Sequence, residues 1–166
     1  MLLWIKRFLT RKEIDLMIDL IESTPIPSGD FMELAEQYWL AYRNLPIPAD
    51  RFAIYWPHYL LMGHAVEMAL KAFLLSRTVS LAHLRSKNHC LDRLRKMATN
   101  KGLTLDAATI RSIDRHLGPM HSNLLARYPN YRGGMSKGVV LASESEEAVE
   151  ALMVAVRSST PLFRKS

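Results

Sequence analysis

Tyr59-Leu-Leu-Met-Gly-His-Ala-Val-Glu-Met-Ala-Leu-Lys-Ala-Phe-Leu-Leu75 decides the fold. Tyr59, Met62, Val66, Ala69 and Phe73 recur at helical spacing, and Leu60, Leu70 and Leu74 widen the apolar stripe beyond one face. A helix apolar on most sides belongs at the centre of a bundle. Asp50 or Pro57 opens this helix, and it runs to about Arg77. Three residues break its apolar character. His64, Glu67 and Lys71 stand at i, i+3 and i+7, so they share one face. A carboxylate there must be paired or hydrogen-bonded, because an isolated buried charge is prohibitively costly. The row reads either as a satisfied network that fixes helix crossing or as the polar floor of a binding cleft.

The segments on either side follow the same period. Thr10 and Glu13 form a capping box ahead of Ile14, Met17, Ile18 and Ile21, and Pro25 and Pro27 end that helix. Ser28 or Asp30 starts a second helix with Phe31, Leu34, Ala35, Tyr38, Tyr42 and Leu45 inward, closed by Pro46 and Pro48. Residues 79–88 lack periodicity and read as a connection. Asn88 or Ser86 then caps a short helix with Leu91, Leu94 and Met97 inward, stopped by Gly102. Another begins near Leu105 or Asp106, with Ile110, Ile113, Leu117, Met120 and Leu124 as its core face, and ends before Pro129. A Gly-rich loop spans 130–143, with 139–141 briefly extended. Ser143 or Ser145 caps the last helix, whose inward residues are Val149, Leu152, Met153 and Val156. The expectation is an all-α, up-and-down bundle of five to six helices around one long central helix. Residues 1–166 make a single domain, with its core at about 28–163 and 1–24 as an N-terminal helical extension.

Composition agrees. Hydrophobic residues make up 49% and charged residues 23%, which excludes wholesale disorder. Cys90 is the single cysteine, so no intrachain disulfide forms, and a reducing compartment, the cytoplasm, is the natural reading. Residues 1–9 are apolar but contain Lys6 and Arg7 and are too short to span a bilayer. The net charge of +6 is unevenly spread. Arg77, Arg85, Lys87, Arg93, Arg95, Lys96 and Lys101 face only Asp92, while Arg111, Arg115, Arg127, Arg132 and Lys137 face only Asp114. That basic middle suits a polyanion, and a solvated helix face accounts for it equally well.

A second candidate site lies in Arg111, Arg115, His116 and His121. Residues six apart on a regular helix differ by about 120° and do not converge. Pro119, beside Gly118, presses on the carbonyl of Arg115, and a kink there swings His121 toward Arg115. An arginine and a histidine aimed at one phosphodiester are what metal-independent RNA cleavage needs, the histidine exchanging a proton and the arginine holding the developing charge. The overlapping pair Arg111 and His116 is the alternative, and a surface arginine beside a kink histidine is the plainer one. The sequence argues against a metal or any other cofactor. It has no cysteine cluster, His116 and His121 are a poor helical ligand pair, and only Asp114 lies near them. No nucleophile elbow or phosphate loop is present.

Three segments in order resemble the HEPN family: the central run 59–75, Asn88-His89-Cys90-Leu91, and Arg127-Tyr128-Pro129-Asn130 ahead of a Glu-rich final helix. The likeness, to the Arg-Tyr-Pro type, extends from about Asp30 to Phe163. It implies a helical bundle that dimerises through its helices. It also implies RNA cleavage of the toxin–antitoxin or defence kind, or nucleotide binding beside a nucleotidyltransferase. On that resemblance Arg115 contacts phosphate, His121 acts as acid or base, and Glu67 or His64 orients them. His64, Glu67, Lys71, Arg127 and Tyr128 are then the RNA- or nucleotide-binding set. The alternative is a non-catalytic module acting with a partner protein such as an antitoxin or a nucleotidyltransferase.

Overall fold

The computed structural model describes residues 28–46, 56–86, 89–122 and 143–160. The expected N-terminal helix, Asp50, Asn88, Leu124, Arg127, Tyr128 and the loop 130–142 fall outside them. The described residues are all helical: α1 (Ser28–Asn44), α2 (Trp56–Ser76), α3 (Leu81–Arg85), α4 (Leu91–Asn100), α5 (Ala107–Ser112), a π-helical turn (Ile113–Leu117), α6 (Gly118–Ser122) and α7 (Ser143–Ser159).

Helix α2 is the centre. It packs against α1, α4, α6 and α7, and Met62, Val66, Ala69, Leu70, Phe73 and Leu74 on it are fully buried. By length and composition Pro57–Ser76 would pass for a membrane span, yet 61% of its window is buried inside the bundle. A core helix meets the same test. Helix α7 covers α2 with Val149, Leu152, Met153 and Val156, all the residues its period assigns inward. Helices α1 and α7 are tied across their length by Tyr42 donating to Glu146 and by Arg157 to Glu36 at 2.9 Å.

Helix α4 ends where the glycine requires. Gly102 adopts φ +96, and the N–H groups of Gly102 and Leu103 return to the carbonyls of Thr99 and Ala98, both at 3.0 Å. That closes a Schellman motif, with Leu103 buried beside it. Asp106 starts α5 as expected, its carboxylate accepting from the Thr109 N–H at 2.8 Å.

Three local expectations are corrected. The segment 79–88 is not a bare connection, because Ser80 caps the five-residue α3, whose Leu84 is fully buried. Ser86 does not cap α4, and Asn88 lies outside the described residues. Cys90 stands at the N-cap of α4 without a side-chain hydrogen bond, and Ser86 closes α3 instead. On α1, Leu34 is exposed while Met32 is buried, since the helix meets α2 along Phe31, Met32, Ala35 and Tyr42.

The helix from Ala107 to Ser122 contains the expected irregularity in a specific form. Pro119 cannot sit in an unbroken α-helix without pressing on the fourth carbonyl back. The chain widens into a π turn instead, in which the Gly118 N–H reaches the Ile113 carbonyl five residues back. Gly118 is needed there, because a Cβ would lie 2.9 Å from that same carbonyl oxygen.

Candidate functional site

Glu67 is 1% exposed, in the middle of the most apolar helix of the bundle. Burial alone would push its carboxyl pKa up, but three donors outweigh that effect. His121 Nε2 lies 2.6 Å and His89 Nδ1 2.9 Å from Oε2, and Lys71 Nζ lies 2.5 Å from Oε1. Together they hold the carboxyl far below the usual carboxylate range. His64 Nδ1 stands 4.0 Å from Oε2, across one helical turn. Because an ionised carboxylate only accepts, the two close histidine nitrogens each carry a proton toward it.

Each member is delivered by a different constraint. His64, Glu67 and Lys71 share one face of α2, as their spacing requires. His89 sits in the turn before α4, and its carbonyl accepts from the Ser122 hydroxyl at 3.0 Å, which ties that turn to α6. His121 arrives on α6 after the π turn. It lies directly over Gly63, where a Cβ would stand 2.4 Å from Nδ1. Tyr38 of α1 stacks on His64 with ring centroids 5.0 Å apart. The imidazoles of His64, His89 and His121 are pairwise near-perpendicular, at 86° to 90°, with centroids 4.8 to 6.3 Å apart. Exposure is graded. His121 is fully enclosed, His64 and Lys71 are partly enclosed, and the His89 side chain is 36% exposed.

His64, Glu67 and Lys71 therefore form one cluster on a shared helix face, as their spacing requires. The pairing of Arg115 with His121 is corrected. The kink at Gly118–Pro119 turns His121 inward onto Glu67, while Arg115 stays exposed on the π turn. No hydrogen bond or ion pair joins the two among the described residues. Nor does one join Arg111 and His116. Arg111 instead lines an open groove with Asp106, Glu144 and Glu147, between α5 and α7. His89 is the member that residue spacing missed. It lies 22 positions from Glu67 in a stretch without periodicity, and the Asn-His-Cys-Leu likeness was its one signal.

In sequence, His121 has only His116 and Asp114 near it as possible metal co-ligands. The fold brings His121 to Glu67 and His64 instead, with ligand atoms within 4.8 Å of one another. The basic middle is also partly internal. Arg95 is buried and fixed to Asp114 through two bonds, of 2.9 and 2.6 Å, and Lys96 pairs with Asp92 at 2.9 Å. Arg85, Arg93, Lys101, Arg111 and Arg115 remain exposed.

No protein-family model, curated protein or solved structure matches this chain.

Proposed function

We propose that this chain is an HEPN-like helical module that binds RNA or a nucleotide in the cytoplasm. Its phosphate-recognising edge is formed by His89, His64 and Lys71 over Glu67. One observation carries the reading. Two of the three segments on which the resemblance rests meet at a single carboxylate, His89 donating to Glu67 at 2.9 Å while Lys71 holds the other oxygen. The segments are adjacent neither in sequence nor in helix, so their convergence is not a by-product of spacing.

The same geometry favours binding over cleavage by the Arg115 and His121 pair. A general acid or base must come within hydrogen-bond reach of the substrate. His121 is 1% exposed, and its Nε2 is engaged by Glu67. The exposed cations Arg85, Arg93, Lys101, Arg111 and Arg115 supply the long-range attraction for a polyanion.

The test uses the full chain in EDTA with fluorescently labelled single-stranded RNA and, separately, an adenine nucleotide. Saturable binding that weakens with salt is expected, reduced at least ~10-fold in His89→Ala, with the RNA left intact. Absence of binding to both probes overturns the reading. RNA cleavage that disappears in both Arg115→Ala and His121→Ala restores the ribonuclease instead.

A second subunit or a protein partner such as an antitoxin or a nucleotidyltransferase fits one further observation. Leu34 and Leu40 on α1 and Val154 on α7 are exposed large apolar side chains, at 41%, 62% and 58%, on two helices bridged by Tyr42–Glu146 and Arg157–Glu36. We place the dimer contact of this HEPN-like reading on that helix pair.

A further inference from the structure

We propose that the Glu67 cluster is a binding site for one divalent transition-metal ion of the zinc type, held by His64, Glu67 and His121 with His89 as fourth donor. The inference stands whether or not the chain binds RNA.

The donor set comes first. Three imidazoles and one carboxylate are ligands that zinc and its neighbours in the first transition row accept, and that calcium and magnesium do not favour. Ligand atoms of His64, Glu67 and His121 lie within 4.8 Å of one another, and the fourth, His89 Nδ1, is 2.9 Å from the Glu67 oxygen they surround. A tetrahedral ion with bonds of about 2.0–2.2 Å sets its donors roughly 3.3 Å apart. The separations from Oε2, at 2.6, 2.9 and 4.0 Å, straddle that figure, and His89, at the solvent edge outside the 4.8 Å group, would turn inward to complete the shell. Ring orientation agrees. The three imidazoles stand mutually perpendicular and approach one region from three directions.

The occupied state differs from the empty one in proton placement. Nε2 of His121 and Nδ1 of His89 now carry the protons that bond Oε2. On binding, those two hydrogen bonds break, each lone pair goes to the ion, and each proton moves to the other nitrogen of its ring. For His121 that nitrogen is Nδ1, which is buried against Gly63 and has no hydrogen-bond partner. A ligand histidine without an outer acceptor costs ~10–100-fold in affinity. Lys71, 2.5 Å from Oε1, adds a repelling charge. Both effects make the site reversible, so EDTA empties it, unlike a closed structural zinc site.

The experiment strips the full chain with chelator, then titrates cobalt(II) by visible absorbance and zinc by calorimetry, with no nucleic acid present. One equivalent is expected, with the visible bands of low-coordinate cobalt. His64→Ala and His89→Ala each weaken binding at least ~10-fold. Lys71→Met tightens it, because a cation leaves while all four donors remain. His89 sits in a turn at the solvent edge, so its variant keeps the fold and the comparison stands even where a core variant unfolds. The inference is overturned if the wild-type chain binds neither ion, if His64→Ala and His89→Ala bind as tightly as wild type, or if Lys71→Met binds more weakly. RNA binding in EDTA is a separate measurement, and its failure leaves this result untouched.

Discussion

Gly63 and His121 occupy one space: a methyl group on residue 63 would stand 2.4 Å from the His121 ring nitrogen Nδ1. The glycine sits inside the central helix, where alanine would ordinarily be preferred by up to ~1 kcal/mol. Its absence of a side chain lets the ring lie close against α2 and reach Glu67. Gly63→Ala should therefore destabilise by about 1–3 kcal/mol despite the better helix propensity, read by urea unfolding. A neutral or stabilising result would mean that His121 is free to leave Glu67.

Glu67 is the joint of the cluster, and its removal leaves the buried His121 and the partly enclosed Lys71 without their shared acceptor. Glu67→Ala should cost about 3–5 kcal/mol by denaturant titration, the range for breaking a buried charged pair. Glu67→Gln keeps the shape and should cost less. Equal losses in the two would show that packing, not the charge, holds the site.

Arg95 and Asp114 make a second internal pair joining α4 to the π turn. Asp114 is partly exposed, so solvent screens what remains when it is lost. Asp114→Ala is expected to cost about 1–3 kcal/mol, and the double variant with Arg95→Met should recover part of it. The measurement is a double-mutant cycle by thermal unfolding.

His58 sets a pH dependence away from the cluster. Burial at 4% exposure, edge-on to Tyr42, lowers its pKa below the ordinary histidine value, and the backbone contact with Leu45 and the charge of Glu146 offset this in part. The unfolded chain then takes up a proton that the folded chain resists. The contribution of His58 is fully present above the unfolded pKa near ~6.5 and is lost as pH falls below it. Unfolding midpoints measured from about pH 7.5 to about 5.5 should fall, and His58→Phe should flatten that slope.

Helices α1 and α7 carry the proposed subunit contact, so Leu40→Glu with Val154→Glu should turn a dimer into a monomer in light scattering while leaving the unfolding midpoint of the subunit unchanged. A wild-type monomer at all concentrations removes the dimer from the proposal.

Periodicity made much of the bundle readable. The inward residues of α7 and the apolar wrap of α2 follow from spacing alone, and Gly102 announced the end of α4. The site was half readable. His64, Glu67 and Lys71 stand out because polar groups on an apolar helix must be satisfied. Spacing was silent on their partners, since His89 and His121 reach Glu67 from 22 and 54 positions away. Pro119 marked a distortion correctly, but a proline shows where a helix deviates and not the direction in which it turns. Leu34 was misplaced for a related reason. The stripe Phe31, Leu34, Ala35 and Tyr38 is a legitimate helical face, yet the packing against α2 selected a neighbouring line through Met32.

The π turn at Ile113–Leu117 works as a phase shifter. One surplus residue in a helix rotates everything beyond it by about 100°, and here that rotation brings the His121 imidazole round onto Glu67. The cluster is thus sensitive to the count of residues in a segment that contributes none of its side chains. Deleting one residue from the turn would leave His121 in the chain with its chemistry intact but its azimuth wrong. Any lineage that lost the surplus residue would keep every functional side chain and still lose the cluster.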